Sequence, residues 1–357
     1  MAVENTDYRE EKLDLENKYD MNLVKTFLDP LGFDYDVSSV EYTMLLSNLN
    51  GDIIGTGSFQ GEILKYVVVS PKFRETPAFA QIVTHLTDIL IKKTGHIFVY
   101  THPKSAKYFE GLGFAKLVTA EPLYAVLEFG YTSIGDYQKY LLTRKVKAKT
   151  ENIAAVVVNC NPFTNGHKYL IEKAAAENEI VYLFVVEEDR SAFPFKIRWE
   201  LIEKGICHLK NVVMVRGDRY VVSGGTFPAY FLKNESQDAI SQKQTEIDVK
   251  IFAKYLAPVL NIKKRYVGTE VYCNTTAFYN TAMKNILPKS GIKLIEIERK
   301  TICSKTNYIS ASKVRQAVKE DSLDSILGFL PESTKEFLLS ERSEEIINKI
   351  KKADSRH

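Results

Sequence analysis

The sequence has few cysteines and no long apolar run, and each absence narrows what the protein can be. The 357 residues include four cysteines, which lie far apart and form no C-x-x-C pair. This spacing argues against a disulfide framework and a zinc site and fits a reducing cytoplasm, so we expect a cytoplasmic protein with no metal-ligating residues. No apolar run approaches membrane-spanning length, and residues 1–20 lack the apolar core of a signal peptide.

The net charge is also small, and the sequence has no repeats or low-complexity tracts. A formal charge of +3 gives no reason to expect a nucleic acid or membrane partner. The hydrophobic content of 45% is ample for packed cores, and the length favours two or three domains. The charged run Arg144–Glu151 is the best candidate for a linker. We therefore expect one domain over residues 1–145 and another over residues 151–357.

One stretch of the second domain predicts a phosphate site. The apolar run Ile153–Val158 is typical of a strand buried on both faces, and a helical pattern begins near Lys168. The loop between them contains Thr164, Gly166 and His167, a T-x-G-H motif. Backbone N–H groups and the helix dipole would meet there and favour an anion. Taken alone, the motif fits a plain strand-to-helix turn with a capping Thr and a surface His equally well.

A second motif near the C-terminus changes that balance. Ser310 and Ser312 open another helix, and Arg315 follows one turn later, within the pattern I-S-x-S-x-x-R that begins at Ile309. Two hydroxyls and a guanidinium at a helix start suit phosphate oxygens, although capping alone would also explain the serines. Together with T-x-G-H, in this order, the motif resembles those of the nucleotidylyltransferase superfamily. The resemblance implies that the first motif binds the α-phosphate region of ATP and the second its β- and γ-phosphates.

Strands and helices alternate through this half of the chain, which predicts a doubly wound parallel sheet in an α/β domain. The further predicted strands are Ile180–Val186, Val212–Val215, Lys264–Gly268 and Lys293–Ile297, and the helices lie near Lys196–Leu209, Ile247–Leu256 and Thr276–Leu287. Ligands of such sheets bind outside the carboxyl ends of the strands. Three candidate stretches follow strands in this way: Glu187–Asp189, Val222–Thr226 and Gly268–Glu270.

The first half has a different pattern. After a charged arm or peripheral helix up to Tyr19 and a short helix at Asn22–Leu28, strands are expected at 41–48, 53–60, 63–69, 97–101 and 124–129, with helices at 77–93 and 105–110. Asn50-Gly51 predicts a hairpin turn between the first two strands. This order resembles the α+β fold of the GNAT acetyltransferases.

The resemblance to GNAT enzymes fails at their phosphate-binding loop. The family's glycines let backbone N–H groups approach the pyrophosphate of acetyl-CoA, whereas this chain has Glu75, Pro77 and Phe79 there. Pro77 has no N–H, Glu75 repels phosphate and Phe79 adds bulk. We therefore expect no ordinary acetyl-CoA-dependent activity. We expect the domain either to receive a thiol-bearing arm or its carrier in the groove between its splayed strands, or to be purely structural.

Longer stretches narrow the resemblance to one family. Asn159–His167, Thr226–Lys233, Val267–Cys273 and Ile309–Ser312, behind a GNAT-like half, resemble the citrate lyase ligase family over about residues 22–339. That resemblance implies use of ATP and acetate to acetylate the thiol of a phosphoribosyl-dephospho-CoA arm on the acyl carrier subunit of citrate lyase, with AMP and pyrophosphate released. It also implies Mg²⁺, held mainly by phosphate oxygens and water.

The resemblance assigns roles to individual residues. His167 would donate to the α-phosphate and Thr164 would position a phosphate, which makes them the catalytic candidates. Ser310, Ser312 and Arg315 would hold the leaving pyrophosphate, and Glu270 would order the loop near adenine or ribose. The complete set of nucleotide-binding candidates is Asn159, Asn161, Phe163, Thr164, Gly166, His167, Gly268, Thr269, Glu270, Ile309, Ser310, Ser312 and Arg315.

Several neighbouring residues are ambiguous. Lys196 and Arg198 could reach a triphosphate, but a solvated helix face is the preferred interpretation, and Arg299 is similar. Cys160 is interpreted as a small buried thiol. Two other functions stay open: an adenylyltransferase acting on a phosphate acceptor such as phosphopantetheine, and a non-catalytic adenine-nucleotide sensor.

Overall fold

The computed structural model describes residues 8–187, 191–221, 227–269, 274–298 and 310–352. The chain divides into two compact units. The first unit comprises Met1–Asp136 and Gly225–Ile247, and the second comprises Tyr137–Gly224 and Asp248–His357. The first unit is therefore discontinuous in sequence, because a segment from the second half of the chain returns to it.

The first unit is built on a seven-stranded sheet in the order β1-β2-β3-β4-β5-β7-β6. Its strands are β1 (Arg9–Lys12), β2 (Tyr42–Ser47), β3 (Ile53–Gln60), β4 (Ile63–Val69), β5 (His96–Thr101), β6 (Ala115–Ala120) and β7 (Tyr124–Gly130). All pairs are antiparallel except β4 with β5. This arrangement confirms the GNAT-like fold class.

Helices cover both faces of this sheet. They are α1 (Lys18–Leu28), α2 (Ala78–Thr94) and the short α3 (Ala106–Glu110), and α4 (Ile134–Arg144) follows the last strand. The apolar face of α2 packs on β3, where Gly55 and Gly57 leave room for Ile82 and Leu86. An added Cβ at Gly57 would lie 2.6 Å from both side chains, so the close approach of helix and sheet requires glycine there.

One expectation for this unit was wrong, one strand was not predicted, and the expected hairpin is confirmed. Residues up to Tyr19 were expected to form an arm or helix, but Arg9–Lys12 is an edge strand paired antiparallel with β2. Glu10 on it accepts a hydrogen bond from Gln81 at 2.8 Å and lies 2.6 Å from His85. The strand Ala115–Ala120 was not predicted. The hairpin at Asn50-Gly51 is confirmed, and Gly51 has a φ of 85°.

The second unit contains a five-stranded parallel sheet in the order β10-β9-β8-β11-β12. Its strands are β8 (Ile153–Val158), β9 (Ile180–Val185), β10 (Val212–Arg216), β11 (Lys264–Gly268) and β12 (Lys293–Ile297). Each lies within two residues of its predicted bounds, and the doubly wound fold is confirmed. The strand order reverses between β8 and β11, so the crevice at their carboxyl ends is the expected ligand site.

Helices flank this sheet. They are α5 (Asn165–Glu177), α6 (Phe195–Gly205), a π-helical turn (Phe252–Leu256), α8 (Ala257–Leu260), α9 (Asn274–Ile286), α10 (Ala311–Lys319), α11 (Glu332–Leu338) and α12 (Glu344–Lys352). The π-helical turn continues α7 (Gln237–Ile251), most of which belongs to the first unit. The core contains the buried side chains of β8 and β9 together with apolar residues of α5, α6, α10 and α11. In the parts of the chain that the structure describes, no helix is both long and apolar enough to cross a membrane.

Candidate nucleotide site at the carboxyl edge of the parallel sheet

The loop after β8 ends in a reciprocal helix cap. Thr164 is the N-cap of α5: its hydroxyl accepts from the N–H of His167 at 3.5 Å, and its own N–H donates to Nδ1 of His167 at 3.1 Å. The helix begins at Asn165, earlier than the expected Lys168, so Gly166 and His167 lie in its first turn. N–H groups of a first helical turn have no partner within the helix, and the dipole favours an anion beside them.

This cap also fixes the proton on the imidazole of His167. Because the backbone N–H of Thr164 can only donate, Nδ1 must accept, and the neutral ring carries its proton on Nε2. The Thr164 hydroxyl lies 2.9 Å from the same Nδ1 atom. The ring is nearly parallel to that of Phe163, at 16° and a centroid distance of 6.3 Å. His167 is thus set to donate through Nε2.

The second motif meets the first. Ser310 caps α10 by accepting from the N–H of Ser312 at 3.2 Å, and Arg315 lies one turn further along. The Nη1 atom of Arg315 donates to the carbonyl oxygen of Asn161 at 2.6 Å, and Nη2 lies 3.4 Å from the Ser312 hydroxyl. Partial burial lowers the pKa of Arg315 from its ordinary value, which is so high that the side chain stays charged. The structure therefore brings Thr164, Gly166, His167, Ser310, Ser312 and Arg315 to one region of the second unit.

Three predicted residues of the first loop have internal partners. The Asn159 side chain pairs with the Ser191 hydroxyl at 3.2 Å, and Oδ1 of Asn161 accepts from the N–H of Phe193 at 3.0 Å. Phe163 is wholly buried, and its carbonyl accepts from the Thr334 hydroxyl at 2.9 Å. These side chains shape the loop, and Phe163 belongs to the core of the unit.

Arg198 corrects one expectation. A solvated helix face was the preferred interpretation, but the side chain is fully buried. Its Nε donates to the carbonyl of Phe193 at 2.9 Å, and its Nη1 donates to those of Asn159 at 2.9 Å and Val186 at 2.6 Å. Asn159 and Val186 are the first residues beyond β8 and β9. Arg198 therefore joins the two chain segments that leave neighbouring strands, and it places a positive charge beneath the site.

The other ambiguous residues near this loop behave as expected. Lys196 is exposed on α6. Cys160 is buried at 1% exposure, and burial raises the pKa of its thiol well above the ordinary value, against the opposing effect of Arg198. A buried thiol that holds its proton is a poor nucleophile, so the interpretation as a small core residue is confirmed.

The carboxyl end of β11 carries the remaining described candidates. The N–H of Thr269 donates to the carbonyl of Ile297 at 2.9 Å, which continues the pairing with β12. The carbonyl of Gly268 accepts from Asn280 at 3.4 Å, and that amide also lies 3.3 Å from Glu296. Glu270, Ile309 and Arg299 lie outside the described residues, as do Glu188, Asp189 and the stretch 222–226. Glu187 is described and pairs with Arg216.

The sequence analysis did not assign Ser191 or Asn280 to this region, and it preferred an exposed position for Arg198. Ser191 follows β9 and Asn280 lies on α9, so both are placed by the strands that precede them. The available signal was their position after predicted strands, since polar side chains there gather at one edge of the sheet. Nothing in the local pattern around Arg198 separates a buried arginine from an exposed one.

Taken together, the region can bind and polarise an anion. The first turn of α5 supplies N–H groups, His167 supplies one directed donor, and Arg315 and Arg198 supply positive charge. Such preorganised donors stabilise charge that develops on phosphate oxygens during transfer. Among the described residues, no group of three or more His, Cys, Asp or Glu side chains is arranged to hold a metal ion.

A family profile and two similar proteins all point to the same family. A family profile described as the citrate lyase ligase C-terminal domain matches residues 153–338, just over half of the chain. A [citrate [pro-3S]-lyase] ligase of Haemophilus influenzae is 35% identical over 92% of this chain and 97% of its own length. The protein of the same name from Escherichia coli is 34% identical over 85% of this chain and 87% of its own.

Solved structures are more distantly similar. A pantoate-beta-alanine ligase from Francisella tularensis is 15% identical, with a TM-score of 0.36, over 60% of this chain and 84% of its own. A bifunctional NMN adenylyltransferase/ADP ribose pyrophosphatase from the same organism is 14% identical, with a TM-score of 0.34, over 56% of this chain and 52% of its own. A putative acetyltransferase from Exiguobacterium sp. is 15% identical, with a TM-score of 0.26, over 37% of this chain and 98% of its own.

Proposed function

Because the chain belongs to the citrate lyase ligase family, we propose that it activates citrate lyase by acetylating the thiol of the lyase's acyl carrier subunit. Acetate and ATP are the co-substrates, and AMP and pyrophosphate are released. The reaction takes place in the cytoplasm, where the well-spaced cysteines would stay reduced. Residues 151–357 carry the adenylation chemistry.

The first step joins acetate to AMP. A carboxylate oxygen of acetate attacks the α-phosphorus of ATP, the bond from that phosphorus to the bridging oxygen breaks, and pyrophosphate leaves. Acetate is already ionised at neutral pH, so the step needs no general base. It needs alignment and charge stabilisation, which the donors around the carboxyl ends of β8 and β11 can supply.

His167 donates to the α-phosphate in this proposal. Its Nδ1 accepts the Thr164 N–H, so Nε2 presents the proton. The first turn of α5 adds N–H groups to the same phosphate. As charge builds on the non-bridging oxygens during attack, these fixed donors bind them more strongly than in the ground state, which lowers the barrier.

The start of α10 holds the leaving pyrophosphate. Ser310 and Ser312 present hydroxyls there, and the Arg315 guanidinium lies beside them with one amino group on Asn161. A guanidinium suits two phosphate oxygens at once. Mg²⁺ would accompany the triphosphate, held mainly by phosphate oxygens and water, and would neutralise part of its negative charge.

The second step transfers the acetyl group. The carrier thiolate attacks the carbonyl carbon of acetyl-adenylate, the bond from that carbon to the phosphate oxygen breaks, and AMP leaves. Cys160 takes no part, because its thiol is buried and its pKa is raised. In this proposal the sulfur nucleophile is the thiol of the carrier.

One observation supports the proposal most directly: Arg315 donates to the carbonyl of Asn161, so the T-x-G-H and I-S-x-S-x-x-R motifs lie near each other beside the end of β8, next to the strand-order switch. The decisive experiment measures ATP–pyrophosphate exchange with and without acetate, followed by acetylation of a deacetylated carrier. We expect acetate-dependent exchange and transfer. Exchange driven by phosphopantetheine and indifferent to acetate would favour an adenylyltransferase, and nucleotide binding without any turnover would favour a sensor.

A further inference from the structure

The sheet of the first unit opens between β4 and β5. These strands pair only where Ile63 lies opposite Phe98 and Leu64 opposite Val99. Beyond those pairs β4 continues with β3 and β5 continues with β7, so their ends diverge. A bulge in β4, with Tyr66 at a φ of 50°, accompanies the divergence. In GNAT enzymes the corresponding groove accommodates a pantetheine chain.

Here the gap is filled by the chain itself. Residues 227–232, which belong to the first unit although they follow β10 in sequence, contact side chains from both diverging strands. The ring centroid of Tyr230 lies 4.3 Å from that of Tyr66 on β4. The ring centroid of Phe227 lies 5.3 Å from that of Tyr100 on β5. Phe227, Phe231 and Leu232 are all buried.

Polar contacts hold the backbone of the same segment. The Tyr124 hydroxyl donates to the carbonyl of Pro228 at 3.0 Å, and the Gln244 amide donates to that of Phe227 at 2.7 Å. Nε2 of His102 lies 3.2 Å from the carbonyl oxygen of Phe231. Burial raises the pKa of Tyr124, so its hydroxyl remains a donor across the physiological range. Three carbonyls of one short segment are thus bound by side chains, as a peptide ligand would be.

The other end of the groove is equally unsuited to a coenzyme. At the start of α2 the N–H of Ala78 donates to the Thr76 hydroxyl at 3.3 Å, and Pro77 has no N–H to offer. The ring of Phe79 packs 5.0 Å from that of Phe109. This helix start therefore offers fewer backbone donors than the glycine-rich GNAT loop, and it carries a bulky aromatic ring in addition.

We propose that the first unit is a clamp for a peptide of its own chain, in which residues 227–232 take the place that a thiol ligand has in GNAT enzymes. The clamp fixes one end of the connection between β10 and α7. The carrier arm therefore does not enter this groove, which revises the expectation drawn from the fold resemblance. The inference goes beyond the acetylation chemistry and does not depend on it.

The test is amide hydrogen exchange of the full-length protein, read by mass spectrometry. Tyr124→Phe keeps the ring and removes the donor to Pro228, so exchange of residues 227–233 should rise roughly tenfold, as expected for loss of one buried hydrogen bond. Tyr131→Phe, the same change at a tyrosine that is 77% exposed in the same unit, should leave it unchanged. Unchanged exchange in Tyr124→Phe, or a rise spread over the whole unit, would overturn the clamp.

A second measurement uses acetyl-CoA as the probe. Calorimetry with the full-length protein should detect no binding, and the coenzyme should leave exchange of residues 227–233 unaltered. Saturable binding that changes exchange in this segment would show that the groove is a coenzyme site whose internal occupant is displaced. Neither readout requires that the protein acetylate a carrier, so failure here leaves the proposed function standing, and the reverse also holds.

Discussion

The Nη1 atom of Arg315 lies 2.6 Å from the backbone carbonyl oxygen of Asn161, a residue 154 positions earlier in the chain. This bond ties the start of α10 to the loop that precedes α5. It leaves the other amino group of the guanidinium on the side of Ser312. An anion at this place would contact the starts of both α5 and α10. Substitution of a donor at either helix start should therefore weaken binding of the same substrate.

Substitution of the proposed phosphate donors should slow formation of the proposed acetyl-adenylate. We expect His167→Ala and Arg315→Ala each to reduce acetate-dependent ATP–pyrophosphate exchange by about 10²–10³, the usual effect of losing one preorganised donor. Arg342→Ala is the matched control, because that arginine pairs with Glu200 on the surface of the same unit. Near-normal exchange in either of the first two variants, with folding intact, would remove these residues from the mechanism.

Arg198 should matter for both stability and rate. Arg198→Met leaves three buried carbonyls without their donor, so we expect a loss of roughly 2–5 kcal/mol in the free energy of unfolding. Lys196→Met, two residues earlier and exposed, should change it by less than about 0.5 kcal/mol. Urea denaturation measures both.

Arg198→Lys separates position from charge. It keeps the charge but cannot reach Phe193, Asn159 and Val186 at once, so kcat for exchange should fall while the KM for ATP changes less. A variant with wild-type kcat would show that Arg198 is only a core residue.

The cysteines should differ in reactivity. Cys207 is exposed, whereas Cys160 is buried with a raised pKa, so iodoacetamide at mildly alkaline pH should label Cys207 and spare Cys160. Peptide mass spectrometry distinguishes them. Cys160→Ala should retain acetate-dependent exchange within about threefold, since the thiol has no chemical role. Loss of activity with unchanged stability would reverse that assignment.

One surface pair predicts a pH dependence of stability. Hydrogen bonds from Arg342 and Lys204 lower the pKa of Glu200 to about 2, from an ordinary value of 4.5. A depressed carboxyl pKa stabilises the fold above the unfolded value, and that contribution is lost as the pH falls from about 4.5 towards 2. The pair is largely solvated, so Arg342→Ala should cost at most about 1 kcal/mol at pH 7. Unfolding curves of variant and parent should converge at the acid end, and a constant difference would contradict the linkage.

Much of the second unit follows from local pattern. The run Ile153–Val158 is apolar without alternation, and it is a central strand with those bounds. The edge strand Arg9–Lys12 could not be predicted in this way, because its four residues are charged and exposed, and pairing with β2 alone makes it a strand. The burial of Arg198 is likewise set by carbonyls that are distant in sequence.

The site shows the same division. The T-x-G-H motif gives a helix start with a known cap chemistry, so Thr164 and His167 could be placed from sequence. The inward orientation of Asn161 and Phe163 could not, because Phe193 and Thr334, which bind them, come from other helices and loops. Motifs identify groups that can meet a ligand, whereas the packing around them decides which atoms remain available.

The return of residues 227–247 to the first unit has a consequence for dividing the enzyme. The charged run Arg144–Glu151 has the composition of a linker, yet a cut there would separate the groove of the first unit from residues 227–232, which fill it. The C-terminal piece would contain Phe227, Phe231 and Leu232 without the sheet that buries them. Exposing each of these side chains to water would cost roughly 1.5–3 kcal/mol of free energy. A second unit produced on its own would need a short polar bridge in place of this segment, because the segment is stabilised by residues about a hundred positions earlier in the chain, such as Tyr124.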